Sequence, residues 1–273
     1  MVKQYQTGRK EGYSMGKIKT VNIGNMEIGT GIPKICAPIM GVTKEDIVGQ
    51  ARQIKTAVPD LVEFRGDVYE DVMDSEKLRD VLTAVFDILG EIPILFTFRS
   101  AAEGGTRPIS TEDYVNLNQM VSETAEVKLI DVEVFMDPPK MRDLIELIHK
   151  NGKVVIGSHH RFDRTPARSD MISILRKLEM NGADIVKLAV MPRTEGDVKN
   201  LIQTTNEATC DYLSCPAVTM AMGNAGMASR IAGEIFGSCI TFGCVGKESA
   251  PGQIPIETLR KQMFDLHKIV EKI

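Results

Sequence analysis

A lysine within an apolar run is the side chain of this sequence that most directly suggests chemistry. Lys187 lies in DIVKLAV (184–190), between Val186 and Leu188. Burying a charged amine costs free energy unless its charge is paired or lost. Burial and neighbouring cations favour the neutral amine of a lysine, and that form attacks a carbonyl to make a Schiff base. The run therefore indicates either a nucleophilic lysine or a lysine whose stem packs while its head reaches solvent.

Two adjacent histidines at the end of another apolar run could transfer protons. His159 and His160 close the run VVIGSHH (154–160) and are half of the four histidines in the chain. Side chains alternate between the faces of a strand, so only one of the pair can face a site at the strand end. An imidazole there could be a general acid or base, or it could bond only to backbone. The metal-binding patterns H-x-H, H-E-x-x-H and C-x-x-C do not occur, so we expect neither a metal nor a cofactor.

Charged side chains also lie at the ends of several other apolar runs. They are Glu63, Arg65 and Asp67 in EFRGD, Arg99 in TFRS, Asp131 and Glu133 in DVE, and Arg230 in the segment of the 220s. A period of two places the charged members of a run on one face of a strand. A single arginine is more often part of a surface ion pair, but three arginines and a lysine at one rim predict a small anionic substrate.

The elements that must position these side chains are short strands. Eight apolar, β-branched runs alternate with amphipathic segments; they lie at 33–39, 61–67, 94–100, 129–135, 154–160, 184–190, 217–222 and 239–245. Nearly continuous apolar runs are typical of strands buried on both faces. Eight strands alternating with helices predict an α/β fold, the (β/α)₈ or TIM barrel, whose functional residues collect at the carboxyl ends of the strands. The alternative is an open doubly wound sheet, but PIMGVTKED after the first strand is not the glycine-rich phosphate turn of that fold.

The amino-terminal region divides into two parts. Residues 17–32 alternate around Gly-Asn, which predicts a small β-hairpin that closes the bottom of the barrel. Residues 1–16 are polar and contain a second methionine, Met15. We expect them to be a flexible extension, with residues 17–273 forming a single barrel domain.

The composition excludes several classes of protein. The chain has 273 residues with 43% hydrophobic and 26% charged residues, values typical of a globular protein. A formal net charge of −4 offers no broad basic surface to nucleic acid or to an anionic membrane. The sequence contains neither an 18-residue apolar stretch nor a signal-peptide core. The chain also has five cysteines, an odd number. Together these features predict a cytoplasmic protein with reduced thiols.

Six segments match the motifs of one family in order and in separation. They are FTFRSAAEGG (96–105), IDVEVF (130–135), HHRFDRTP (159–166), ADIVKLAVMP (183–192), MASRIAGEIFGSCITFG (227–243) and SAPGQIPI (249–256). Over residues 17–273 the chain resembles the type I 3-dehydroquinate dehydratases. The resemblance implies a barrel with an amino-terminal hairpin, a homodimer, and dehydration of 3-dehydroquinate to 3-dehydroshikimate through a covalent imine. This lyase reaction belongs to the shikimate pathway of aromatic amino acid biosynthesis or to quinate breakdown.

The resemblance also implies the roles of the reacting residues. Lys187 matches the Schiff-base lysine of the family, and His160 matches its catalytic histidine. Glu103 and Asp131 match acidic residues that support the position and the charge of that histidine.

Eight further positions match residues that bind the substrate. Glu63, Arg65 and Arg99 match the group at the ring hydroxyls, Met220 and Met222 match a methionine pair beside the substrate, and Arg230, Ser249 and Gln253 match the group that grips the carboxylate and closes a lid. Another Schiff-base lyase of the class I aldolase type would keep Lys187 but would not need the last three residues together.

The chain departs from the family pattern at two places. Gly66 stands where the family usually has an aliphatic residue, and His159-His160-Arg161 stands where it usually has Asn-His-Asp. If Arg161 faces the site, its charge disfavours the imidazolium form of His160; if it faces the helices, it is only structural. These departures keep open the alternative of a homologue that binds dehydroquinate with impaired catalysis.

Overall fold

The structure is a computed structural model that describes residues 20–246 and 250–272. The expected extension 1–16 and the expected ligand residue Ser249 lie outside the described residues. The strands are β1 (Val21–Ile23), β2 (Met26–Ile28), β3 (Lys34–Ile39), β4 (Leu61–Arg65), β5 (Ile94–Thr97), β6 (Val127–Glu133), β7 (Val154–Arg161), β8 (Ile185–Val190), β9 (Ala217–Ala221), β10 (Ile240–Cys244) and β11 (Ile254–Pro255). The α-helices are α1 (Lys44–Ala57), α2 (Ser75–Leu89), α3 (Thr111–Ser122), α4 (Pro138–Lys150), α5 (Arg168–Met180), α6 (Glu195–Glu207), α7 (Met227–Ile231), α8 (Gly233–Phe236) and α9 (Ile256–Val270).

The strands β3 to β10 form the parallel wall of a barrel, and each predicted strand run overlaps one of them. From β3 to β9 they pair in chain order, and β10 pairs with β3. The ring closes between β9 and β10 through a bridge between Ala217 and Ser238, where the Cys239 N–H donates to the Ala217 carbonyl at 2.8 Å. The prediction of a (β/α)₈ barrel is therefore confirmed, and the open sheet is excluded.

The hairpin of β1 and β2 closes the amino-terminal end of this barrel. Its strands are antiparallel, with Val21 opposite Ile28. Ile23 and Ile28 are buried in the cluster that fills the barrel interior, together with Leu61 and Leu129 near the starts of β4 and β6. Burial of these apolar side chains stabilises the hairpin against the barrel, as the sequence predicted.

The helices cover the outer face of the wall, and side-chain caps mark the starts of several of them. Thr43 forms a capping box with Asp46 at the start of α1, and Ser110 accepts from the Asp113 N–H at the start of α3. Between β9 and β10 the chain forms a 3₁₀ turn, Asn224–Gly226, and the short helices α7 and α8. A Cβ at Gly226 would lie 2.0 Å from the Ala221 carbonyl oxygen, so this connection packs very closely on β9.

Two properties of the described residues bear on the composition argument. The cysteines form no disulfide within this part of the chain. None of its helices combines the length and the apolar character needed to cross a bilayer.

The second and third barrel strands end earlier than predicted, because Asp67 ties their loops together. Its carboxylate accepts from the Arg65 Nε at 2.8 Å, from the Arg99 N–H at 3.3 Å and from the Thr106 N–H at 3.1 Å. The carboxyl end of β4 is thereby joined to the loop that follows β5. These bonds fix the backbone that carries two of the predicted substrate-binding arginines.

The glycine that departs from the family pattern leaves room for an aromatic ring. A Cβ at Gly66 would lie 2.8 Å from Cζ of Phe96 and 3.2 Å from Cγ2 of Val72. Phe96 is fully buried and stacks on Phe64 with a centroid separation of 5.9 Å. In this chain the stacked rings occupy the space that an aliphatic side chain at position 66 would need.

We expect Gly66→Val to lower the free energy of unfolding by about 1–3 kcal/mol, because the buried ring of Phe96 must move. Urea unfolding of the variant and the parent chain measures the difference. Gly49→Val is the matched control, since a Cβ at Gly49 on α1 meets no atom within 4 Å. An equal effect of the two substitutions would contradict this explanation of Gly66.

Candidate active site

One cavity at the carboxyl ends of the barrel strands collects the predicted site residues. It has a volume of about 210 Å³. The predicted residues that line it are Glu63, Arg65, Arg99, Glu103, His160, Lys187, Met220, Met222, Arg230 and Gln253. Asp131 lies just beneath them, bonded to Arg99 and Lys187. The structure therefore brings these candidates together at one rim, although they come from seven different strands and their loops.

The amine of Lys187 lies inside this cavity and is paired. Lys187 sits in the middle of β8 and is only 4% exposed. Its Nζ is 3.1 Å from Asp131 Oδ2, 3.8 Å from Glu63 Oε1 and 4.7 Å from the ring centre of Phe242. The head of this lysine therefore does not reach bulk solvent. It faces the cavity, where a small ligand can meet it.

A buried guanidinium holds the carboxylate that pairs with the lysine. Arg99 donates through Nη2 to Asp131 Oδ1 at 2.8 Å, and through Nη1 to Glu133 Oε1 and to Ser158 Oγ, each at 2.9 Å. Ser158 in turn donates to Asp131 Oδ1 at 2.6 Å. Burial alone would raise the pKa of Asp131, but the charges of Arg99 and Lys187 outweigh it and hold that pKa well below its usual value.

The two carboxylates expected beside the histidine differ in what they contact. Glu103 accepts from Nδ1 of His160 at 2.9 Å and from its backbone N–H at 3.0 Å. Asp131 instead bonds to Arg99, Ser158 and Lys187. Asp131 thus supports the lysine directly, because both residues point inward from the strands β6 and β8.

His160 is held as a neutral imidazole with one fixed tautomer. Burial and the charge of Arg99 lower the pKa of His160 to about 3, against the opposing effect of Glu103. An ionised carboxylate can only accept hydrogen bonds. The bond that His160 makes to Glu103 therefore requires the proton of the neutral ring to be on Nδ1. The lone pair is then on Nε2, and this atom is the base available in the cavity.

The other charged walls of the cavity are also fixed. Arg65 donates to Asp67 through Nε and Nη2 at 2.8 and 2.9 Å. Glu63 accepts from Thr97 Oγ1 at 2.9 Å. Arg230 is 1% exposed and donates from Nη2 to the Pro251 carbonyl at 3.2 Å. That bond holds the segment 250–253 at the edge of the cavity, where it forms part of the lining.

The two departures on β7 lie outside the cavity lining. Arg161 donates to Asp163 through Nε and Nη2, at 2.9 and 3.0 Å. Its charge is therefore neutralised by Asp163 and is not directed at His160. His159 points to the opposite side of β7, as alternation predicts. Its ring nevertheless reaches Oε1 of Glu103, at 2.7 Å from Nδ1, which the spacing of residues did not indicate.

Several side chains important for this geometry were missed as site residues. The period of two already grouped Asp67 and Glu133 with predicted residues on a strand face, although neither was assigned to the site. Ser158 lies two residues before the predicted His160 on β7 and carries the same signal. Phe242 carries none, since its role depends on a distance between strands. The described residues contain no group of three or more histidines, cysteines or carboxylates arranged to hold a metal ion.

Comparison with known proteins identifies the family. The model of a family described as Type I 3-dehydroquinase matches residues 35–270. The 3-dehydroquinate dehydratase of Clostridium botulinum (strain Eklund 17B / Type B) is 45% identical over 251 residues, which cover 92% of this chain and 98% of that protein. The enzyme of Listeria innocua is 44% identical over 91% of this chain and 98% of its own length.

Solved structures agree with these sequence relatives. The type I 3-dehydroquinate dehydratase from Clostridium difficile, solved with covalently modified comenic acid, has a TM-score of 0.88 at 42% identity and covers 92% of this chain and 98% of its own. The 3-dehydroquinate dehydratase from Geobacillus kaustophilus has a TM-score of 0.89 at 35% identity with the same coverage. The chain therefore belongs to the type I 3-dehydroquinase family.

Proposed function

We propose that dehydration of 3-dehydroquinate by this enzyme proceeds through a covalent imine on Lys187, with His160 as the general base and general acid. One observation carries the proposal. A buried amine and a neutral imidazole face the same small cavity, and each is held by its own carboxylate. Such a pair supports elimination of water next to a carbonyl group.

The carboxylates around Lys187 suit a nitrogen that carries positive charge. Asp131 and Glu63 lie within 4 Å of Nζ and stabilise the ammonium ion of the free enzyme. The amine must release a proton before it attacks the ketone, and the neutral imidazole of His160 is a base able to accept it. His160 returns this proton to the hydroxyl group of the carbinolamine, which leaves as water, and the product is a protonated imine, again a cation beside these carboxylates. In that form it withdraws electrons from the neighbouring carbon.

The lone pair on Nε2 of His160 then removes the proton from the carbon next to the imine. The electron pair of the C–H bond moves to the nitrogen and gives an enamine. When it returns, the β-hydroxyl leaves and takes the proton that His160 now carries, so water is released. Addition of water to the remaining imine frees the product and the amine of Lys187. Each step conserves protons between the imidazole, the substrate and water.

The cationic and apolar walls suit the substrate of the family. We propose that Arg230 and Gln253, with Ser249, bind the carboxylate, and that Glu63, Arg65 and Arg99 bind the ring hydroxyls. Met220 and Met222 give the cavity an apolar side. Holding the substrate in this way keeps its ketone against Lys187, which lowers the entropic part of the barrier.

The state of the whole protein is also a proposal. We propose a cytoplasmic homodimer of one barrel domain, 17–273, preceded by an extension, with no nucleic-acid or membrane partner. The family resemblance supports the dimer, and the net charge of −4 supports the last point. Light scattering that gives the mass of a single chain would contradict the dimer.

We expect borohydride, added during turnover of 3-dehydroquinate, to inactivate the enzyme and to add the mass of a reduced adduct to the peptide that contains Lys187. Mass spectrometry of the digest locates the adduct. The Lys187→Met variant is the control and should remain unlabelled. Labelling at another lysine, or full turnover without any trapped adduct, would refute the imine mechanism.

We expect His160→Ala to lower kcat by about 10²–10⁴-fold, the range for loss of a general acid or base. Steady-state assays that follow the conjugated product measure this loss. His267→Ala is the matched control, because His267 lies on α9 and bonds to Glu234. Retention of kcat in His160→Ala would exclude His160 as the proton-transfer group.

We expect Arg99→Met to lower the free energy of unfolding by about 3–5 kcal/mol at pH 7, because it leaves buried carboxylates without their partner. In the parent chain the lowered pKa of Asp131 means that this carboxylate stabilises the fold above its unfolded-state pKa. Without Arg99 burial acts on Asp131 and Glu133 with less opposition, although Lys187 still pairs with Asp131. These carboxylates then bind protons more tightly in the folded chain than in the parent, so the cost of their charges is present at pH 7 and is relieved as the pH falls.

Urea unfolding at pH 7 and pH 5 tests this pH dependence, and the difference between variant and parent should shrink at pH 5. Arg79→Met is the matched control, since Arg79 and Glu123 form an exposed pair with atoms 3.7 Å apart. It should cost less than about 1 kcal/mol at either pH. A loss for Arg99→Met that is the same at both pH values would contradict the role of the carboxylates.

A further inference from the structure

The carboxylate of Glu103 is shared by two imidazoles, of which the mechanism uses only one. Oε2 accepts from Nδ1 and from the backbone N–H of His160, while Oε1 lies 2.7 Å from Nδ1 of His159. Glu103 ends a short 3₁₀ turn after β5, Ala101–Glu103, and is buried between the two rings. The two neighbouring histidines of β7 are thus joined through one anion, although their side chains leave the strand on opposite sides.

His159 lines a second cavity, behind the wall of the first. This cavity is lined among others by Ser100, Glu133, Phe135, His159, Arg161 and Asp163, and it meets the substrate cavity at Glu103 and His160. The ring of His159 packs edge-on against Phe135 with a centroid separation of 4.9 Å. Its side chain is 17% exposed, against 9% for His160. The ring is therefore held in place by packing, and it does not line the first cavity.

The direction of the hydrogen bond follows from the charge of Glu103. Burial alone would raise the pKa of this carboxyl group, but the bonds from His159 and His160 and the charge of Arg99 lower it to about 2. The carboxylate is therefore ionised near neutral pH and only accepts. His159 consequently donates its Nδ1–H to Oε1, just as His160 donates to Oε2.

We propose that His159 is a positioning residue, which acts through Glu103 to fix the ring of His160 and to weaken the affinity of that ring for a proton. The inference rests on the proposed function of His160. A donor on Oε1 fixes the plane of the carboxylate, and with it the ring that bonds to Oε2. The same donor draws negative charge toward Oε1, so less of it is available to stabilise an imidazolium at His160. His160 is thereby kept as a neutral base.

Other charged groups surround the two rings, so a substitution at His159 must leave the charges of these groups unchanged. Nη1 of Arg99 lies 3.6 Å from Oε2 of Glu103, and the charge of Lys187 also acts on His160. Around His159, Glu133 lines the same cavity, and Arg161 and Asp163 neutralise each other. A change confined to the Nδ1–H of His159 therefore isolates its effect on Glu103.

The test compares His159→Phe with His159→Gln in the full chain. Phenylalanine keeps a ring against Phe135 but has no donor, whereas the amide of glutamine can donate to Oε1. Arg161→Gln is the control on the same strand, because it breaks only the pair with Asp163. The readouts are kcat and KM across pH, and the titration of the histidine resonances by NMR without substrate, which a chain with four histidines makes assignable.

We expect His159→Phe to raise the pKa of His160 by about one unit, since the full charge of Glu103 then acts on it. The acidic limb of the kcat profile should move upward with it, and kcat should fall about tenfold while KM stays within about twofold. His159→Gln should recover most of both effects, and Arg161→Gln should leave both unchanged.

Two results would overturn the proposal. One is a His160 titration and a kcat in His159→Phe that equal those of the parent chain. The other is an equal loss of kcat in the Phe and Gln variants without a shift of the titration, which indicates packing alone. If the parent chain itself fails to turn over 3-dehydroquinate, the proposed function fails, while the titration still tests the coupling of the two rings.

Discussion

The buried guanidinium of Arg99 is the interaction on which the site depends. It lies among Asp131, Glu133 and Glu103, contributed by β6 and by the turn after β5. Taking such ions out of water costs several kcal/mol for each unless they pair with good geometry. The barrel supplies that geometry, because inward side chains of neighbouring strands lie close together at one level. The same ion cluster contacts both Lys187 and His160. Asp131 accepts from Lys187, and Glu103 accepts from His160.

This single cation also helps to keep two groups deprotonated, one of them as an anion and the other as a neutral base. Its charge lowers the pKa of Asp131 and so keeps a counterion ionised beside the amine. Burial lowers the pKa of His160, and the charge of Arg99 adds to that effect, so the base stays neutral. Catalysis of an elimination needs both states at one pH. An arginine can serve both because it stays charged over the whole range in which these groups titrate.

The sequence predicted the barrel because strands buried on both faces are continuous apolar runs, as in DIVKLAV around Lys187. It also grouped the inward residues of each strand, since alternation fixes which side chains share a face. It could not predict which carboxylate meets which cation, because that depends on the register between strands. Spacing left open whether Asp131 meets the histidine or an arginine, and the family resemblance implied the histidine, whereas Asp131 bonds to Arg99 and Lys187. The bond of His159 to Glu103 could not be predicted either. Glu103 lies in a turn, and the periodicity of a sequence does not indicate the path of a turn.

The closure of the barrel between β9 and β10 has a consequence for binding. This seam is held by a short bridge at Ala217 and Ser238, whereas the other neighbouring strands share longer ladders. Arg230 lies on the connection that crosses the seam, with Lys187 on one side of it and Gln253 on the other. A ligand that touches all three residues joins the two edges of the wall. Ligand binding then stabilises the closed barrel. The free energy needed to open the wall rises with the logarithm of the ligand concentration.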